Sequence, residues 1–243
     1  MNTWTIFKRE LTSYFTQPTA YAIVIIFGFL STLLAFTLGN FWNVGDASLH
    51  GSFFRFHPLL LMILVPAVSM RQWSDEHSTN TIELLGTFPV NIRSAIWGKF
   101  LASALVWALA LALTFPMIVT VNYLGSPDNL TIFSGYLGSF LVCLTFLAIT
   151  TLVSSFTRDQ VVALIASVAI CCILTILGWE PVINEIRRSG SDTAVELMTK
   201  LGIYSHFFEA TLGRISLVSV IYFIGLITVC LFGTNMVLKS QRS

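Results

Sequence analysis

Six apolar runs constrain this chain more than anything else in it: residues 19–39, 53–70, 95–124, 131–156, 161–177 and 215–238. A helix needs about 20 apolar residues to cross a bilayer. In lipid the backbone must satisfy its own hydrogen bonds, which leaves helices or a closed barrel. Runs of this length predict an all-α polytopic membrane fold with six spans. The third run exceeds one bilayer thickness, so it tilts or protrudes, and Pro116 is placed to kink it. The fifth is short and stops at Gly178-Trp179-Glu180-Pro181. Trp179 and Tyr204 suit the aromatic belt of an interface.

Composition agrees. The chain is 55% hydrophobic and 10% charged, where a soluble domain carries roughly a quarter charged residues. A net charge of +1 makes no electrostatic case for nucleic acid. Cys143, Cys171, Cys172 and Cys230 all fall inside apolar runs and read as small hydrophobes. The N-terminus opens on no cleavable signal, because the first apolar run starts near Thr19 without a small-residue cleavage pattern. No repeat or low-complexity linker divides the chain, so 1–243 reads as one membrane domain.

Six spans put both termini on one side. With that side cytoplasmic, Lys8, Arg9, Arg71, Arg93, Lys99, Arg158, Lys239 and Arg242 lie inside, against Arg55, Arg187, Arg188, Lys200 and Arg214 outside. The cationic bias favours cytoplasmic termini. The two short outer connections hold Asp46 and Asp128.

The connection 179–213 is the long one. Residues 181–188 and 193–201 have helical composition, split by Ser189-Gly190-Ser191-Asp192, with Asp192 an N-cap candidate followed by Glu196. Val195, Met198 and Leu201 share a face. Two short helices on the outer surface fit this pattern, and 203–212 is apolar enough to dip back into the bilayer. At the other end, within residues 1–18, Trp4, Phe7, Leu11 and Tyr14 form an apolar stripe flanked by Lys8, Arg9 and Glu10. Such a segment lies in the interface plane, with its cations among headgroups. It is either a plain juxtamembrane helix or an elbow that tilts when the spans move. Gln17-Pro18 turns the chain into the bilayer.

Much catalytic chemistry is missing. There is no glycine-rich phosphate loop, no His-Glu-x-x-His and no Gly-x-Ser-x-Gly. Nor is there an intramembrane carboxylate pair of the kind a protease or proton-coupled carrier uses. Arg55 and His57 open the second span and read as snorkelling residues, and His206 as an interfacial or core histidine. A membrane domain without this chemistry must take any energy it uses from elsewhere.

The place to borrow it is residues 71–94, a polar, acidic island between the second and third runs. Asn80 can cap a short helix, with Glu83 reaching back as its third residue. Ile82, Leu85 and Phe88 then project to one side, Gly86 weakens the helix and Pro89 ends it. Glu83 is a cap, a salt-bridge partner for Arg71 or Arg93, or a partner contact, and these roles are compatible. The whole reads as a surface for a cytoplasmic partner to push on.

The residues around the island resemble the ABC-2 family of ATP-binding-cassette permeases. The match runs through Pro66, Met70-Arg71, Asp75-Glu76, Thr81-Ile82-Glu83-Leu84-Leu85, Pro89-Val90 and Gly98-Lys99. Phe7-Lys8-Arg9-Glu10-Leu11 with Tyr14-Phe15 and Pro18 resembles the family's opening segment. Ser154-Ser155-Phe156-Thr157-Arg158-Asp159-Gln160 resembles its turn between spans four and five. Ser205-His206-Phe207, Gly213 and Tyr222 resemble its last outer segment and sixth span. Among subgroups the chain is most similar to the gliding-motility type. Members similar to it usually carry Gly where this chain has Asn80, which also tolerates left-handed backbone.

The resemblance implies a non-catalytic bacterial inner-membrane subunit. Glu76, Thr81, Ile82, Glu83, Leu85, Phe88, Pro89 and Arg71 would face a separate ATPase, present in two copies and holding the ATP and magnesium. This chain would bind no cofactor. Arg158 and Asp159 would mark the second cytoplasmic loop, and Trp4, Phe7, Lys8, Arg9, Leu11 and Tyr14 the interfacial helix. A second permease, identical or related, completes the pair; a companion with a large extracytoplasmic domain is expected of the subgroup. Either the complex moves a substrate, by family analogy outward, or it transmits mechanical work to the extracytoplasmic partner. Gly28, Ser31, Thr32 and Ala35 permit close packing in both cases. Thr145, Thr150, Thr151 and Ser154 on the fourth span favour a wet or hydrogen-bonded seam, hence transport.

Overall fold

The computed structural model describes residues 3–16, 18–41, 49–78, 92–188 and 192–240. The described residues are 88% helical, without strands, and hold six helical stretches long and apolar enough to cross a membrane. The all-α, six-span architecture expected from the hydropathy is therefore present.

The chain runs α1 (Thr3–Thr16), α2 (Pro18–Thr37), a 3-10 turn (Phe54–Phe56), α3 (His57–Ser69), α4 (Arg71–Ser78), α5 (Ile92–Ala112), α6 (Phe115–Leu124) and α7 (Asn129–Phe156). It continues through α8 (Gln160–Leu177), α9 (Glu180–Arg188), α10 (Asp192–Leu201), α11 (Ile203–Thr211) and α12 (Leu217–Ser240). The fourth span, α7, is the hub: α3, α5, α8, α11 and α12 all pack on it. At 1.5 Å per residue it is roughly 42 Å long, and it is the most deeply enclosed of the six.

Local chemistry explains its ends. Asp128 caps α7, accepting from the Leu130 N–H at 3.0 Å and the Thr131 hydroxyl at 2.8 Å. Asp159 caps α8 through the Val161 N–H at 2.8 Å. Between α5 and α6 the third span breaks at Leu113-Thr114, just before Pro116. A proline ring clashes with the carbonyl four residues earlier, here Ala112, so the helix stops at that residue. Thr114 fills the gap, its hydroxyl meeting the Leu111 carbonyl oxygen at 2.6 Å and the Tyr136 hydroxyl at 2.9 Å.

Close approach decides the packing at a few glycines. A Cβ on Gly135 would lie 2.7 Å from the Phe54 ring, and one on Gly98 2.8 Å from the Ile6 side chain. Gly202 and Gly178 meet backbone to backbone, where an added Cβ on Gly202 would fall 2.2 Å from the Gly178 Cα. That contact seats α11, a short amphipathic helix, against α7 and α8 with Ile203, Tyr204 and Phe207 buried. In α10 the Glu196 carboxylate pairs with Lys200 at 2.6 Å. Cys143, Cys171 and Cys230 are buried thiols, and Cys172 is partly so.

Three readings of side-chain direction change. His57 does not snorkel: it is fully buried, ringed by Phe27, Phe53, Phe54 and Tyr136, with Nδ1 2.8 Å from the Ser139 hydroxyl. The preceding 3-10 turn tightens the chain by a fraction of a residue per turn, which leaves Arg55 exposed and swings His57 inward. On α2, a Cβ added at Gly28 would meet no described atom within 4 Å, while Phe27, Ser31 and Ala35 form the buried row. Finally, Thr145, Thr150, Thr151 and Ser154 face the interior of this subunit rather than a seam; each hydroxyl bonds a carbonyl of its own helix.

Candidate functional site

The second span does not end where its apolar run does. α4 follows α3 after only Met70, whose own backbone is helical and whose N–H reaches the Pro66 carbonyl oxygen at 2.8 Å. The first third of the acidic island is thus an extension of a spanning helix. It buries Gln72, Trp73 and Ser74, and it leaves Arg71 exposed.

Lys99 reaches that extension from α5. It lies toward the N-terminal end of a largely apolar helix and is 6% exposed. Its Nζ stands 2.7 Å from Glu76 Oε1 and 2.7 Å from the Gln72 carbonyl oxygen, with Glu10 Oε1 3.9 Å away and the Trp73 ring 4.9 Å below. An ammonium has three donors and a positive charge, and this position supplies acceptors, a carboxylate and an aromatic face. A lone buried cation would be strongly disfavoured; a paired and hydrogen-bonded one is tolerated.

The Gln72 side chain extends the network. Its Nε2 donates to the Ser103 hydroxyl at 2.6 Å, and its Oε1 accepts from Thr151 at 2.8 Å. The Ser103 hydroxyl in turn lies 2.8 Å from the Tyr14 hydroxyl. Burial raises the Tyr14 pKa above its ordinary value despite the bond to Ser103, so the phenol stays neutral. Further along α4, Asp75 accepts a hydrogen bond from Gln160, and His77 Nε2 lies 3.0 Å from the Ser155 carbonyl oxygen. One short helix is therefore tied to α1, α5, α7 and α8 at a single end of the bundle.

Of the residues singled out in the sequence, Glu76 and Tyr14 belong to this node. Thr81, Ile82, Glu83, Leu85, Phe88 and Pro89, with the cap residue Asn80, lie outside the described residues. Asp159 caps α8 and Arg158 beside it is exposed. Along α1, Trp4 stacks on Phe7 at 5.2 Å yet is 65% exposed, Lys8 and Arg9 face outward and Leu11 is half-buried. The face of α1 turned to the bundle is Ile6, Glu10 and Tyr14, rotated from the stripe read in the sequence. Gly98 sets that rotation by leaving room for Ile6.

Lys99, Gln72, Ser103, Thr151 and Glu10 carry the node, and the sequence reading gave them no such role. The available signal was a lysine five residues into an apolar run, since an ionisable residue within a span is a functional candidate by default. Among the described residues no group of three or more His, Cys, Asp or Glu side chains could hold a metal ion. The arrangement offers no nucleophile beside a base. It offers mechanical continuity.

Residues 38–219 match the family model described as ABC-2 family transporter protein. No curated protein matches the chain.

Proposed function

The chain belongs to the ABC-2 transporter family, whose members are the membrane subunits of ATP-binding-cassette complexes, and from that premise we propose that α4 is the lever of the machine. A separate ATPase, present in two copies and holding ATP and magnesium, docks on residues 79–91 at the cytoplasmic face. Its closure pushes the segment, and the push reaches the spans through α4. The observation that carries this reading is Lys99 joining Glu76, Gln72 and the face of α1. A force on the end of α4 cannot move that helix without moving the first helix and the third span.

On this reading the whole chain is one inner-membrane domain with cytoplasmic termini. Residues 1–18 are the elbow, 71–94 the coupling segment and 179–213 the extracytoplasmic helical loop. It works beside a second permease, and the complex moves a substrate, outward by family analogy. Likeness to the gliding-motility type suggests a companion with a large extracytoplasmic domain.

One observation favours force transmission to that companion without a substrate. The fourth-span hydroxyls that argued for a wet seam are enclosed within the subunit and bonded. That removes the polar lining a permeant molecule would need along this span.

The test is affinity purification of the chain from its native membrane, with identification of what accompanies it. A near-stoichiometric ATPase supports the motor, and a large extracytoplasmic protein with no transported compound favours force transmission. In the purified complex, Glu83→Arg is expected to leave insertion intact and abolish stimulated ATP hydrolysis. Stimulated turnover at the wild-type rate would remove Glu83 from coupling.

A further inference from the structure

The end of the bundle opposite α1 holds a cavity of about 670 Å³ between the start of the second span and the outer helices. Its charged lining is balanced: Arg55 and Arg188 against Glu180 and Glu185. Trp179 and Tyr204 supply aromatic walls, and Phe207 and Phe208 supply apolar ones. Burial lifts the Tyr204 pKa, the Arg55 charge opposes the lift and Glu180 adds to it. Both a cation and a carboxylate therefore act at one phenol.

Depth is the next clue. Arg55 lies two residues before α3 and Trp179 two residues after α8, so the mouth lies at the level where two spans leave the hydrocarbon. Just below it, Leu59, Ile173 and Ile176 are exposed apolar side chains. A ligand seated here has its polar part among charges and its apolar part along lipid-facing helices.

The geometry points to a binding site for the headgroup of a zwitterionic phospholipid bearing a primary amine, with the phosphodiester at Arg55 and Arg188 and the ammonium at Glu180. Guanidinium groups recognise phosphate oxygens through paired charge-assisted bonds. A primary ammonium donates to a carboxylate and can stack its charge on Trp179, where a quaternary ammonium has no proton to donate. A purely anionic headgroup would leave the Glu180 carboxylate without a cation to meet. Glu185 is held by Arg188 at 3.2 Å, but that pair is exposed and therefore weak enough to open for a phosphate. This inference is independent of what the complex transports.

Native mass spectrometry of the purified full chain with equal amounts of phosphatidylethanolamine, phosphatidylglycerol and phosphatidylcholine tests it. Wild type is expected to retain the ethanolamine lipid above both others. Arg55→Gln should lower that retention about tenfold, the loss of one charge-assisted phosphate contact, and Glu180→Gln should erase the preference over phosphatidylcholine. Thermal unfolding reports whether each variant is folded, and the wild-type competition stands without them. Equal retention of the three lipids overturns the site. So does unchanged retention in folded Arg55→Gln, including the case where that variant instead loses a co-purifying protein. Soluble glycerophosphoethanolamine held as firmly as the lipid would assign the cavity to a free ligand and overturn the lipid assignment.

Discussion

Lys99 Nζ lies 2.7 Å from Glu76 Oε1, with the lysine side chain 7% and the glutamate side chain 15% exposed. The pair locks α4 to α5 at the base of the segment through which we propose the ATPase acts. Removing one member takes the strongest opposite charge from the other in a poorly solvated place. Lys99→Met should therefore destabilise the protein by about 3 kcal/mol or more. Lys99→Met with Glu76→Gln should lose much less, because neither charge remains. Thermal unfolding of the four proteins in detergent gives the coupling; additive losses would mean the two side chains act separately.

Gln72 separates the lock from the linkage. Gln72→Leu leaves the Gln72 carbonyl oxygen and Glu76 for Lys99, but cuts the side-chain bonds to Ser103 and Thr151. A loss of about 1–3 kcal/mol is expected from the partners left unsatisfied. If α4 is the lever, stimulated ATP turnover should fall more than co-purification of the ATPase does. Full stimulation in a folded Gln72→Leu complex would argue against transmission through α7.

Leu85 tests the docking surface itself. Leu85→Asp should reduce the amount of ATPase that co-purifies while leaving the membrane level of the chain unchanged. Unchanged co-purification would move the apolar contact elsewhere in the island.

Two glycines should behave oppositely. Gly202→Ala drives a methyl group into the Gly178 backbone and should cost about 1–3 kcal/mol, seen as a lower unfolding temperature. A methyl added by Gly28→Ala meets no described atom within 4 Å, and with alanine's better helix propensity it should leave that temperature unchanged or raise it slightly. If Gly28→Ala instead weakens self-association, the small residue serves contact between chains.

Asp128 predicts an acid response. The Thr131 hydroxyl and then the Leu130 N–H bond its carboxylate and hold its pKa below the ordinary value. A depressed folded pKa contributes stability above the unfolded value near 4, and that contribution disappears as pH falls through the folded value. Asp128→Asn keeps a capping side chain but cannot titrate, so its unfolding temperature should drop less than wild type between pH 5 and pH 3. Parallel pH curves for the two proteins would show that the cap charge contributes nothing.

What the sequence determined by itself follows from local free energies. Transfer into lipid is summed along a run of neighbouring residues, so all six spans and the all-α class were legible in 19–39 through 215–238. The break of the third span was legible within three residues of Pro116, because a proline disturbs only its own turn. Helices in 179–213 were legible for the same reason. Direction was not. Hydropathy is nearly uniform around a spanning helix, so nothing in the one-dimensional pattern said that His57, Thr150 and Thr151 turn inward or that Gly28 turns out. The node was hidden by distance: Tyr14 meets Ser103 across 89 positions and Thr151 meets Gln72 across 79. Lys99 looked like one more cation at a membrane edge until packing of α1 over Gly98 and of α4 against α7 removed its water. Only the tertiary structure decided that, because a buried charge chooses its partner from whatever helices close around it.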